Sequence, residues 1–182
     1  MSVFCHPNVL DQPAVRALLG IESKADPEFG YKPRTPLHKG KRDNTEIDMK
    51  IGELLVEAKL TESNFQFASV GLISRYRDLE AVFDVSELPS RNGKQCGYQL
   101  IRGALAAFAA GCSFCVLCDA RRPDLVESWY RIMRAVLPFE LRCRLKLLTW
   151  QELASVLPKD LQQFLSAKYG IFPASPSRIV SG

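Results

Sequence analysis

Asp48, Glu57 and Lys59 combine residue types and spacing that could act on a phosphate. They lie in the run Thr45-Glu46-Ile47-Asp48-Met49-Lys50-Ile51-Gly52-Glu53-Leu54-Leu55-Val56-Glu57-Ala58-Lys59, two alternating apolar segments that meet at a glycine. Side chains on a strand alternate faces with a period of two. Glu57 and Lys59 therefore share one face of the second segment, and Glu46 and Asp48 share a face of the first. A hairpin around Gly52 would bring Asp48 against Glu57 with Lys59 beside them. Hard divalent cations take oxygen ligands, and Mg²⁺ in particular uses one or two carboxylates and fills its remaining positions with water and phosphate oxygens. Such a cation acidifies bound water and neutralises charge growing on a phosphate. An amine beside it could, when neutral, orient or deprotonate the attacking water, or, when charged, stabilise the transition state. Both roles stay open for Lys59. The bland alternative is a solvated strand face whose Glu–Lys pair contributes little.

The elements that must position these residues follow from periodicity and punctuation. Asp11 to Leu19 reads as a short helix, with Asp11 as cap, Pro13 in the first turn and Gly20 at the end. Glu22 to Asn44 is turn-rich and leaves room for a first strand that the pattern does not place. The strand pair is expected at 45–51 and 53–60. Thr61-Glu62-Ser63-Asn64 can open a helix, which Phe67, Val70, Leu72, Ile73, Tyr76, Leu79 and Phe83 would continue at helical spacing. Pro89-Ser90-Arg91-Asn92-Gly93 breaks that pattern. A second helix is expected from Lys94 to Ala110, where Gln95, Gln99 and Arg102 would share a face and Gly103, Ala104, Ala106 and Ala107 would allow close approach to a sheet. Cys112 to Asp119 is almost wholly apolar, as a strand covered on both faces should be. A helix over 122–137, a strand over 144–149 and helices over 151–157 and 160–169 complete the order.

Asp48 followed by Glu57-Ala58-Lys59 resembles the motif of the PD-(D/E)xK nuclease superfamily, and the order of elements from Thr45 to Trp150 is similar to a group of restriction-endonuclease-like proteins within it. Glu46-Ile47 precedes Asp48 in place of the proline that gives the motif its first letter. The resemblance implies an α/β fold with a restriction-endonuclease-like mixed β-sheet flanked by α-helices. It also implies a Mg²⁺-dependent nuclease with Mn²⁺ as possible substitute, an endonuclease by preference, acting on nucleic acid and on DNA first. Asp48 and Glu57 would ligate the metal and Lys59 would act in catalysis. The helix after the motif often supplies a glutamine or basic side chain in this superfamily, which makes Gln99 the first choice, with Glu46, Gln95 and Arg102 as further candidates. The spacing departs from the Gln-x-x-x-Tyr pattern of one branch, since Gln99 stands four residues after Gln95 and Tyr98 one step early. A binding or interaction protein that keeps the fold without catalysis is the alternative.

Bulk properties fit this reading without demanding it. The chain has 182 residues, 47% hydrophobic and 24% charged, enough for one core and too apolar for disorder. One domain over 1–171 with a loosely held tail over 172–182 is expected. The net charge of +4 is compatible with a polyanionic partner. A local surplus says more: Lys32, Arg34, Lys39, Lys41 and Arg42 follow one another with no acid between Tyr31 and Arg42, and could contact phosphates. No run is long and apolar enough for a membrane span, and the first residues lack the layout of a signal peptide, so a cytoplasmic protein without membrane association is expected. Self-association is left open.

Six cysteines invite a metal reading. On a strand, however, Cys112 and Cys118 would face one side and Cys115 the other, so the three thiols could not meet one ion. Core packing is expected, with neither zinc nor an iron–sulfur cluster.

Overall fold

The structure, a computed structural model, describes residues 2–60 and 64–174. In chain order the elements are α1 (Pro13–Leu19), β1 (Pro27–Tyr31), β2 (Ile47–Ile51), β3 (Leu54–Ala58), β4 (Phe67–Ser69), α2 (Val70–Ile73), α3 (Leu79–Val82), β5 (Ser90–Arg91), β6 (Lys94–Cys96), α4 (Tyr98–Ala110), β7 (Ser113–Cys118), α5 (Pro123–Arg134), α6 (Phe139–Arg142), β8 (Leu145–Thr149), α7 (Trp150–Val156) and α8 (Lys159–Tyr169). The main sheet has five strands in the order β1-β2-β3-β7-β8. Its first three strands are antiparallel neighbours, and β3, β7 and β8 run parallel. The fold is therefore a mixed sheet flanked by helices, the restriction-endonuclease-like architecture that the motif implied.

Two apolar layers cover the sheet. Leu55, Phe114, Val116 and Cys118 point to the layer that holds α4 and α5, including Leu100, Ile101, Trp129 and Ile132. Met49, Ile51, Leu54, Val56, Cys115 and Leu117 point to the other, with Val15, Leu19, Trp150, Leu153 and Leu165. Each large apolar chain buried this way contributes about 1.5–3 kcal/mol. Helix α4 approaches closely because Gly103 lies over the ring of Phe114: a Cβ there would run into Phe114. The same ring takes Trp129 edge-on at 5.5 Å. β7 separates the cysteines as alternation requires, Cys112 and Cys118 with one layer and Cys115 with the other.

Three sequence expectations need correction. Residues 67–83 do not form one helix. Phe67–Ser69 is a strand of a second, three-stranded sheet, and two single-turn helices follow. Phe67 and Val70, which the helical stripe would bury, are 47% and 52% exposed. The start of that segment, Thr61 to Ser63, lies outside the described residues. Second, Lys94–Cys96 is strand β6, paired with β4 and β5, and α4 begins only at Tyr98. Asn92 and Gly93, both with positive φ, turn β5 back into β6; that Asn-Gly pair is a hairpin signal which the helical reading overrode. Third, Gln12 rather than Asp11 precedes α1, without a side-chain cap; Pro13 and Gly20 stand as expected. The tail beyond Ala174 also lies outside the described residues. Among the described residues no helix is long and apolar enough to cross a membrane.

Candidate active site

The hairpin around Gly52 forms, with Ile51 opposite Leu54 and Met49 opposite Val56. Gly52 has φ +54, a left-handed conformation suited to glycine in so tight a turn. Continuing the register one step sets Asp48 opposite Glu57. There the ladder opens, and the Asp48 carboxylate takes the place of a main-chain acceptor: Oδ2 receives the Ala58 N–H at 2.8 Å. Lys59 is fixed through its backbone on both sides. Its N–H donates to Leu117 O at 2.7 Å, extending the parallel pairing with β7. Its carbonyl accepts from Trp150 Nε1 at 3.0 Å. The sheet, rather than any loop, thus holds the motif.

Glu57 is 1% exposed and Lys59 5%. Lys59 Nζ lies 3.1 Å from Glu57 Oε1, an ion pair that meets an oxygen otherwise buried without a hydrogen-bond partner. Arg102, on α4, brings Nη2 to 4.0 Å from Glu57 Oε2, a charge neighbour rather than a hydrogen bond. Arg102 instead donates from Nη2 to the Glu46 carbonyl at 2.7 Å. Burial raises the Glu57 pKa above its ordinary 4.5, and the Asp48 charge raises it further; Lys59 and Arg102 oppose the rise without cancelling it. A carboxylate so placed is only partly compensated, and an added cation would supply the rest.

The donor set suits a hard cation. The Asp48 and Glu57 carboxylates, on neighbouring strands, act on one another electrostatically, and Glu57 Oε1 is buried with no hydrogen-bond partner and only the Lys59 charge beside it. Among the described residues no group of three His, Cys, Asp or Glu forms a fuller ligand cage, so the remaining positions would fall to water and substrate oxygens, the pattern of Mg²⁺. Burial pushes the Cys115 thiol up to about 12 and the Cys118 thiol up to about 11.

The structure places the other candidates unequally. Gln99 lies in the first turn of α4, which is docked on the chain after β3: Gly97 N and Tyr98 N donate to Gln66 O, and Gln99 N to Phe65 O. Its side-chain Oε1 is buried without a partner. Arg102 reaches the site from the same helix. Gln95 does not share their helix face, because it sits at the centre of the small sheet, opposite Ala68 and Ser90. Glu46 is turned outward, its side chain 58% exposed and paired with Lys32 at 3.4 Å. Only its carbonyl meets the site residues, through Arg102.

A polar relay beside the site was not foreseen. Tyr76 donates its hydroxyl to Asp43 Oδ2 at 2.5 Å and lies 3.1 Å from the Tyr98 hydroxyl, while the Arg102 guanidinium sits 5.7 Å from the Tyr98 ring centre. Burial and then the Asp43 hydrogen bond raise the Tyr76 pKa, so it stays a donor. Burial works to raise Asp43, but hydrogen bonds from Thr45 and Tyr76 outweigh it and leave its pKa below 3.8. Tyr76 sat in an apparently apolar stripe. The available signal was that a buried tyrosine hydroxyl needs a partner; nothing in the sequence said that the partner is Asp43.

The relay also joins the site to the basic segment. Leu37 bridges Tyr76, His38 N donates to Arg75 O at 2.9 Å, and Arg77 N to Pro36 O at 3.2 Å. Arg75 thereby comes beside Lys39 and Lys41 around one cleft. Arg34, Lys39, Lys41, Arg42 and Arg75 are exposed and have no acidic partner among the described residues. Lys32 is partly neutralised by Glu46, and Arg77 by Asp78 at 2.8 Å.

Comparison with known protein families matches residues 1–170 to the family described as "Restriction Endonuclease associating with ARP". No curated protein and no solved structure gives a significant match.

Proposed function

The chain belongs to the family described as restriction endonuclease associating with ARP, and from that premise we propose that it is a divalent-metal-dependent nuclease that hydrolyses phosphodiester bonds, in DNA first and by internal cleavage. The observation that carries the reading is the buried Glu57 carboxylate, set against Asp48 and Lys59 with one oxygen unsatisfied.

Asp48 and Glu57 would hold Mg²⁺, with Mn²⁺ as substitute. Bound there, the cation supplies Lewis acidity toward the phosphate and acidity to water. Lys59, anchored by Leu117 and Trp150, presents its amine to the attacking water or to the charge developing on the phosphate, where a fixed donor counts most. Gln99 Oε1, lacking a protein partner, can accept a hydrogen bond from water. Arg102 adds positive charge beside Glu57 and ties α4 to the Glu46 backbone. Arg34, Lys39, Lys41, Arg42 and Arg75 form a face for phosphates away from the reacting bond. Association with ARP, which the family description names, belongs to the same proposal.

Labelled duplex DNA, single-stranded DNA and RNA, each incubated with and without Mg²⁺ or Mn²⁺, test the reading. Cleavage of DNA is expected only with metal. It should vanish in Asp48→Ala and return in part at raised Mn²⁺, because that variant weakens metal binding. Nucleic-acid binding without cleavage under every metal condition would replace the nuclease by a silent binding module.

A further inference from the structure

Beside the candidate site lies a cleft of about 320 Å³, walled by the chain at 64–67, by the start of β5 and by Ser128 and Arg131 of α5. Phe65 forms part of this wall, and the Lys59 Nζ lies 5.8 Å from the centre of the same ring. Phe65 is thus shared between the wall of the cleft and the surroundings of the amine. The cleft is built in advance. Gln66 adopts φ +61, a conformation costly for a residue with a side chain, and is held there by Asn64 Oδ1, which accepts its N–H at 2.8 Å, and by its own carbonyl, which accepts from Gly97 and Tyr98. Phe67, at the edge of the small sheet, lines the cleft and is 47% exposed. Arg91 and Lys94, paired across the β5–β6 hairpin, are exposed and have no acidic partner among the described residues.

A half-exposed ring, a preformed cleft and two cations without acidic partners among the described residues, Arg91 in the wall and Lys94 across the hairpin from it, fit a planar, anionic ligand. We propose that this cleft receives one unpaired nucleobase of the nucleic acid, next to the phosphate at Lys59, with Phe67 stacking on the base and Arg91 and Lys94 meeting the flanking phosphates. The inference rests on the nuclease reading and names its substrate class: DNA with an unpaired or single-stranded nucleotide at the cleavage position. Stacking of a base on an aromatic ring is tolerant of base identity, so the cleft selects for strand structure rather than sequence. A preformed site also avoids the ordering cost of building one on binding.

The test is binding without metal, so that cleavage plays no part. The wild-type protein is titrated in a chelator with three oligonucleotides that differ at one position: fully paired, with one unpaired 2-aminopurine, and with an abasic sugar in its place. The unpaired base should bind about tenfold more tightly than the abasic form, with quenching of its fluorescence. Phe67→Ala should remove both the preference and the quenching, while Phe67→Trp retains them. Arg91→Ala with Lys94→Ala should weaken all three oligonucleotides alike. Since Phe67 is exposed, its variants should keep the wild-type melting temperature, which the same samples report. Equal affinity for unpaired base and abasic site, or a preference that survives Phe67→Ala, overturns the inference and leaves the nuclease reading standing. A cleft filled by a second copy of the chain, seen as a dimer that Phe67→Ala dissociates and DNA does not, also overturns it. No binding to any oligonucleotide, in chelator or with Ca²⁺ in its place, overturns both.

Discussion

Two carboxylates stand near the ends of neighbouring parallel strands, Glu57 in β3 and Asp119 just after β7, and both are almost fully buried, at 1% and 4% exposed. Their treatment differs completely. Asp119 receives the Arg121 N–H at 2.9 Å, a forked guanidinium from Arg121 and Gln151 Nε2 at 2.7 Å. Arg121 in turn donates to the carbonyls of Tyr169 and Gly170 and so ties the end of α8 to the sheet. Hydrogen bonds from Arg121, acting against burial, hold Asp119 down to about 2. Glu57 has two cations nearby and still keeps an orphan oxygen and a raised pKa. A buried charge that is fully hydrogen-bonded serves the fold. One left short of partners costs stability and is poised for something not yet bound. Burial alone would not have separated the two; the count of hydrogen bonds does.

The sharpest way to break the comparison is Lys59→Ala. If the Glu57 cluster is the reacting site, the metal-dependent cleavage rate should fall by about 10²–10³. Raised Mn²⁺ should not restore it, since the amine does not hold the metal, and nucleic-acid binding should largely persist. Cleavage at the wild-type rate would make Lys59 an ordinary buried lysine.

Asp119→Ala should do the reverse. Losing the acceptor that Arg121 and Gln151 converge on should lower stability by about 1–3 kcal/mol, read from denaturant unfolding, while the cleavage rate of folded protein stays near wild type. The pH dependence follows the sign of the shift. A depressed carboxylate contributes stability that is full above its unfolded value of 3.8 and is lost as pH falls through about 2. The difference between wild type and Asp119→Asn should therefore shrink across that window. A rate loss in Asp119→Ala beyond its loss of folded protein would erase the division between the two regions.

The smallest effect concerns Glu57 in metal-free protein. Its pKa is raised on folding, so its contribution is full below 4.5 and is lost as pH rises through the higher folded value. Added Mg²⁺ should accordingly raise the melting temperature little near pH 4.5 and more as pH rises. Glu57→Gln should flatten the decline with pH and abolish the Mg²⁺ effect. A Mg²⁺ stabilisation that persists unchanged in Glu57→Gln would place the ion elsewhere.

The sequence by itself determined the strand pair and its faces. Alternation around Gly52 places Asp48, Glu57 and Lys59 together because a period of two leaves no other choice once the hairpin closes. The same rule separated Cys115 from Cys112 and Cys118, the run of apolar and small residues located the body of α4, an apolar stripe located α5, and Pro158 and Gly170 marked the ends of α7 and α8. It failed where elements are too short to carry a period. β4 and β6 have three residues each, and their apolar residues were absorbed into imagined helices, which misplaced Gln95. What only the tertiary structure decided is which polar groups find partners. Whether Glu57 and Gln99 stay short of hydrogen bonds, whether Asp119 meets Arg121 and Gln151, and whether Tyr76 meets Asp43 and Tyr98 all depend on contacts between segments distant in the chain. Those contacts are fixed by the packing of helices on the sheet, and no local pattern of residues encodes them.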